Sequence, residues 1–319
     1  MNGARLTKWS LVGLWVIGIV FWPDATDNDS ALEVTANLSP GESLYKADLT
    51  ATNFGLLGVH FFESADNRRN WDIRSKFAEL NRKDDYFYLQ QVNSDFYGRD
   101  TGNIIHTTSD FGRSYLGRNF VELEGNVQVV SAQGYEFRMQ KLDYNGANRT
   151  FFTDTPVAMK GPDTKNPAMI LDGVGMKGSA DKEHFVIQKN VQARRRMSTS
   201  EWLNIRSQSG EFFTQNQKAI FHRKVRAQMP RITILSDRFE LETNQGSETI
   251  VALGHVVLYN RDRTGRAQKA TVKMGEDEIL LEGKAEIETG DDRMKGDQIR
   301  IYSEDDRVEV RAAEGIMRR

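Results

Sequence analysis

The chain has 319 residues with 43 basic and 45 acidic side chains, a formal charge of -2, so no global attraction to nucleic acid is built in. Cysteine is absent, which excludes disulfides and thiolate metal sites. Hydrophobic content is 39% against 28% charged, a balance that suits an elongated, surface-rich shape better than a compact α/β enzyme.

At the N-terminus Arg5 and Lys8 precede the uncharged run Trp9 to Trp22, which ends at Pro23. These residues cover roughly 21 Å as a helix, against about 30 Å of hydrocarbon core. Leu6 and Thr7 extend the span while Lys8 snorkels, and Trp9 and Trp22 suit the membrane interfaces. Asp24, Asp27 and Asp29 follow, so the charge asymmetry places the body outside the cytoplasm. The run Trp22-Pro23-Asp24-Ala25 is a poor cleavage site, and residues 1–23 therefore read as a retained transmembrane anchor rather than a signal peptide. Residues 24–45 read as a polar linker.

Beyond the linker the pattern is β and repeated. Seven segments share one alternating frame, centred on Val92, Val127, Val157, Val191, Val225, Val256 and Ala285, at spacings of 35, 30, 34, 34, 31 and 29 residues. The position six residues before each centre is also apolar, while the flanking columns are mostly polar. One dry face and one wet face is the mark of half-buried strands. A second set of strands, "DIRSKFAEL", "NIRSQSGEF" and "TILSDRFEL", aligns without gaps, so a period of about 30 residues is two strands and two turns. No helical periodicity follows Pro23. The expected architecture is all-β: an elongated antiparallel jelly roll or solenoid with one inner face.

Gly173-Val174-Gly175-Met176-Lys177-Gly178 is a literal G-x-G-x-x-G. A dinucleotide cradle needs a helix after the glycines, because helix N–H groups hold the pyrophosphate. Here a turn and then the repeat strand at Phe185 follow, so the glycines belong to a strand and mark bulges or close backbone approach.

The five histidines, His60, His106, His184, His222 and His255, show no metal-ligand spacing and read as surface residues. The acidic pairs Asp84-Asp85, Asp291-Asp292 and Asp305-Asp306 read as turn residues, and neither a nucleophile elbow nor a phosphate loop is present. Charge is unevenly spread: Arg194 to Arg231 holds nine basic and two acidic residues, and Glu276 to Glu309 five basic and thirteen acidic. A solvated outer face accounts for such runs; the sharper alternative is that the basic stretch meets lipid phosphates or a partner. Arg194-Arg195-Arg196 marks a seam between two halves.

The anchor, "WDIRSKFAEL", "YFYLQQVNSDFYG" and "GVGMKG" together resemble the LptC family of bitopic lipopolysaccharide-export proteins. Gly173 falls where that family carries a glycine ahead of M-[KR]-G, while the family's other marked glycine is replaced near Asn67. From Asn204, "NIRSQSGEFF", "VALGHVVLYN", "ILLEGKAEIETG" and "MKGDQIRIYSEDDRVEV" resemble the LptA/OstA family of periplasmic bridge proteins. The resemblance implies a fusion: an LptC-like jelly roll over 46–196 and an LptA/OstA-like one over 197–319. It implies a bacterial inner-membrane, single-pass protein with its body in the periplasm. The dry interior would take the acyl chains of lipopolysaccharide, with no cofactor, no metal, no catalysis and no nucleic acid. A twelve-carbon chain costs roughly 9 kcal/mol to expose to water, which a continuous apolar groove would remove.

The implied partners are the inner-membrane permease and ATPase complex, and further bridge proteins or the outer-membrane translocon joined by β-edge pairing. The groove-lining candidates are Tyr86, Tyr88, Val92, Val121, Leu123, Val127, Val129, Phe137, Met139, Phe221, Val225, Ile250, Val256, Leu258, Ile279, Leu281 and Ile287. Two other readings remain open: a structural envelope scaffold with a filled interior, and a cell-wall glycan enzyme whose carboxylates would have to converge.

Overall fold

A computed structural model describes residues 55–316, apart from 66–67, 100–102, 116–117, 183, 198–199, 215–216, 245–246, 275, 277, 303–306 and 313. The expected anchor and linker, residues 1–45, and Asn67 lie outside the described residues. Among those described, no helix is long and apolar enough to cross a membrane.

The alternating pattern yields strands throughout. The first half holds β1 (Gly55–Ala65), β2 (Arg68–Asn81), β3 (Tyr86–Tyr97), β4 (Ile104–Tyr115), β5 (Phe120–Val130), β6 (Glu136–Asn145), β7 (Thr150–Gly161), β8 (Met169–Ser179) and β9 (His184–Arg196). The second half holds β10 (Trp202–Ser207), β11 (Ser209–Phe213), β12 (Lys218–Gln228), β13 (Ile232–Asn244), β14 (Ser247–Asn260), β15 (Arg263–Lys273), β16 (Glu278–Thr289), β17 (Asp292–Tyr302), β18 (Val308–Arg311) and β19 (Glu314–Ile316). Each strand pairs antiparallel with the next in the chain from β1 to β9, and again from β12 to β17. Turns of Gly, Asn and Asp make so local a meander possible.

The two halves meet without a break. β10 lies beside the end of β9 and β11 beside its start, and both then pair with β12. They are one interrupted strand, and the Gln208 amide at the gap reaches the carbonyls of His222 and Arg223 at 3.2 and 3.1 Å. Hydrogen bonding therefore runs through the seam as it does elsewhere in the sheet.

A line of bulges crosses the middle of the strands. Register shifts fall at Glu124/Val127, His222/Val225, Leu253/Val256 and Glu282/Ala285, among others. Left-handed backbone accompanies them: Gly125 and Asn126 at φ 77° and 45°, Gly254 and His255 at 74° and 44°, Gly283 and Lys284 at 78° and 51°. Bulges bend a strand and sharpen its twist. Repeated at one level, they crease the whole sheet, and residues before and after the crease face each other: Leu123 and Val127, or Ala252 and Val256, are all buried.

The folded sheet thus encloses a single elongated core, from Trp71 and Ile73 through Leu203 and Ile205 to Ile299 and Ile301. Aromatic rings bridge its layers: Phe96 stands 4.1 Å from Tyr144 and 5.3 Å from Phe151, and Phe137 meets Phe185 edge-on at 4.7 Å. The outer face is laced with cross-strand ion pairs, such as Arg113 with Glu122 and Glu124, both at 3.1 Å.

Candidate functional site

Folding a meander in half brings its alternate turns to opposite rims of a slot. One rim carries the turns after β3, β5, β7 and β9; the other carries those after β4, β6, β8 and β11. Polar ties cross between the rims. The Trp71 indole N–H donates to Asn119 Oδ1 at 3.0 Å, and Arg149 donates to Asn70. The Arg99 amide donates to Asp181 Oδ1 at 2.8 Å. Farther along, Arg195 meets Glu248 at 3.5 Å and Thr243 Oγ1 at 3.3 Å.

Between these ties the slot is apolar. One opening is lined by Ile105, Val129, Phe137, Phe151, Met176 and Phe185, and the next by Tyr135, Met159, Met169, Phe185, Phe212 and Leu241. Their free volumes are 50 and 20 Å³, on the scale of one or two waters at about 30 Å³ each. At these two openings the side chains themselves fill the slot.

Fifteen of the candidate residues lie on the inner face. Val92, Val121, Leu123, Val127, Val129, Phe137, Met139, Phe221, Val225, Ile250, Val256, Leu258, Ile279, Leu281 and Ile287 are all at most 5% exposed. Tyr86 and Tyr88 are a correction. Both are half-buried on the outer face, where Tyr86 packs on Tyr115 and Tyr88 stacks on Phe111, itself 42% exposed. The inner positions are Phe87 and Leu89.

The reason is local. In β5 the buried residues on either side of the bulge, Leu123 and Val127, are four apart, whereas in β3 Leu89 and Val92 are three apart across Gln91 at φ 52°. A gapless frame counted back from Val92 lands on the wrong face. Interior residues that the frame missed include Phe96, Tyr144 and Phe239; the alternation within each strand, read outward from its bulge, would have found them.

Gly173 sits in β8 opposite Val157, and a Cβ there would lie 2.3 Å from Ile187 Cγ2. All three glycines of the G-x-G-x-x-G motif lie within β8, with Gly175 at φ 73°. The motif serves close strand packing and a bulge.

Each histidine faces a carboxylate: His60 meets Asp72, itself buried, and on the outer surface His106 meets Asp95, His184 and His222 meet Glu211, and His255 meets Asp237. Bonded to Asp237, His255 has its pKa raised. No cluster of three metal-ligating residues occurs among the described residues.

Against known proteins, residues 47–196 match the family model described as "Lipopolysaccharide-assembly, LptC-related", and residues 204–307 match "LptA/(LptD N-terminal domain) LPS transport protein". No curated protein matches. Among solved structures, the crystal structure of LptH from Pseudomonas aeruginosa, described as the LptA homologous periplasmic component of its lipopolysaccharide transport device, aligns over 37% of this chain and 95% of its own. The sequences are 10% identical there and the TM-score is 0.35. The chain is thus a tandem of two modules of the lipopolysaccharide-transport families, one LptC-related and one of the LptA/LptD N-terminal kind.

Proposed function

We propose that this protein binds lipopolysaccharide through its acyl chains, in the apolar interior of the folded sheet, and relays it across the periplasm toward the outer membrane. The observation that carries this reading is the uninterrupted inner face across the junction of the two modules, where Ile187, Val191, Leu203, Ile205, Phe221 and Val225 are all buried. Relay needs such continuity. At about 0.8 kcal/mol per CH₂, an acyl chain stepping through water would meet a barrier that a run of similar dry sites removes.

The fusion, with modules over 46–196 and 197–319, makes covalent one junction that separate bridge proteins form by pairing sheet edges. Among the described residues the sheet ends on β1 at one side and on β18 with β19 at the other. β1 is the edge for the inner-membrane permease and ATPase complex, beside which residues 1–23 anchor the chain. The opposite edge meets a further bridge protein or the outer-membrane translocon. No residue performs chemistry in this scheme, and loading requires the rims of the slot to part.

The closely filled interior supports a second reading, a structural scaffold of the envelope. A photo-reactive residue at Val127 or at Val256, in the full chain exposed to lipopolysaccharide and light, separates the two. Crosslinks at both positions, with none at the outward Gln128, are expected of a relay. Folded protein that crosslinks at neither is a scaffold.

A further inference from the structure

Where the two modules join, the outer face carries a cluster of arginines and amides. Two rows of side chains run across β8, β9, β10 and β12. In one, Asp172, Gln192, Arg206 and Arg226 are successive cross-strand partners; in the other, Ile170, Arg194, Asn204 and Gln228. With strands about 4.8 Å apart, each row is about 14 Å long. Together they line a depression of 560 Å³.

Arg206 and Arg226 stand directly opposite each other, and like charges in that position are destabilising. Elsewhere arginines on this face find carboxylates, as Arg266 does with Glu286 and Glu288. Neither Arg206 nor Arg226 has an ion pair or side-chain hydrogen bond among the described residues. Beside them, Arg194 lies 5.7 Å over the ring of Trp202, which is 36% exposed. Three guanidinium groups and three amides (Gln192, Asn204 and Gln228) thus border one hollow with a single acid, Asp172, and the partly exposed Trp202 indole lies just outside it under Arg194.

We infer that this hollow is a binding site for a phosphorylated saccharide. Guanidinium groups hold phosphate oxygens in forked, charge-assisted pairs. Amides donate to and accept from sugar hydroxyls, and the indole offers an apolar face to a sugar ring. An acidic peptide would satisfy the arginines but leave the indole and the amide row without a task. The bound anion removes the repulsion between Arg206 and Arg226, so the unliganded face is the strained one. The phosphorylated sugar has two sources, the head of the lipid cargo or a free glycan phosphate. The first rests on the proposed function; the second does not.

The test uses the full chain in a neutral detergent, titrated with lipopolysaccharide stripped of its acyl chains, with the same oligosaccharide stripped also of phosphate, and with inorganic phosphate. The expected result is binding of the phosphorylated oligosaccharide, weakened at least about tenfold in Arg206→Gln/Arg226→Gln and absent for the dephosphorylated probe. The double variant should melt no lower than the parent, because it loses an opposed pair of like charges. Trp202→Ala should weaken the oligosaccharide but leave inorganic phosphate unchanged.

Equal affinity in parent and double variant, or no binding, overturns the site. Inorganic phosphate binding as tightly as the oligosaccharide overturns the saccharide assignment. If the double variant also loses affinity for intact lipopolysaccharide, the hollow holds the cargo's head; if that affinity stays while the stripped probe is lost, it serves a free glycan phosphate. Because the stripped probe has no acyl chains, this result is independent of whether Val127 and Val256 crosslink.

Discussion

Glu63 is the side chain most at odds with its surroundings. It faces Asn70, Trp71, Asn119 and Arg149 at the rim of the slot, and one of its carboxylate oxygens is buried without a hydrogen-bond partner. Burial raises its pKa, partly offset by those neighbours. The folded protein therefore holds this proton more tightly than the unfolded chain does, and stability falls as pH rises from the ordinary carboxylate pKa through the raised one. Glu63→Gln should be more stable than the parent at pH 7, with the difference vanishing below about pH 4; urea midpoints at the two pH values check it. The neighbours favour the carboxylate and burial favours the acid, and burial prevails. Gly173 shows the opposite case, a residue whose identity is set by packing alone, because the 2.3 Å approach to Ile187 leaves no room for a methyl group.

At the scale of the strand, the crease decides which residues face inward. Alternation and the period of about 30 residues were legible in the sequence, and with them the antiparallel meander and most of its interior. The width of each bulge was not: Gly125-Asn126 and Gly254-His255 take up two residues, whereas Gln91 alone serves in β3, and that single residue moved Tyr86 and Tyr88 to the outer face. Nor were the ties across the slot legible, since Trp71 and Asn119, or Arg195 and Glu248, are brought together only by folding the sheet.

The crease also makes paired predictions of opposite sign. At Gly254, φ is 74°, and Gly254→Ala should lower stability by about 1–2 kcal/mol, the penalty for a left-handed L-residue. At Gln91, φ is 52° with a side chain already present, so Gln91→Gly should be neutral or gain up to about 1 kcal/mol. Denaturant unfolding of the two variants against the parent reads both. If side-chain length alone mattered, both signs would reverse, with Gly254→Ala stabilising and Gln91→Gly destabilising.

For the whole molecule, the question is what makes two modules one body. The sheet is one answer, because β9, β10, β11 and β12 are paired through the seam. Arg195 and Glu248 are the other. Arg195 belongs to the LptC-related module and Glu248 to the LptA-like one, and they meet 3.5 Å apart across the slot with side chains only 10% and 4% exposed. A buried pair of this kind adds little over a well-packed apolar pair, yet removing one partner leaves the other buried charge less well compensated, a loss of about 3–5 kcal/mol in general.

Arg195→Met alone should therefore destabilise the full chain by about 3 kcal/mol or more, while Arg195→Met/Glu248→Met should recover most of the loss. Loss of Arg195 should also loosen the rims on both sides of it. Hydrogen exchange in the single variant should quicken at β9 and at the start of β14 together, one in each module. Exchange that quickens in only one of them would mean that the pair stabilises its own strand and does not join the halves. If both quicken, the slot opens at the junction as a unit, as the proposed relay requires.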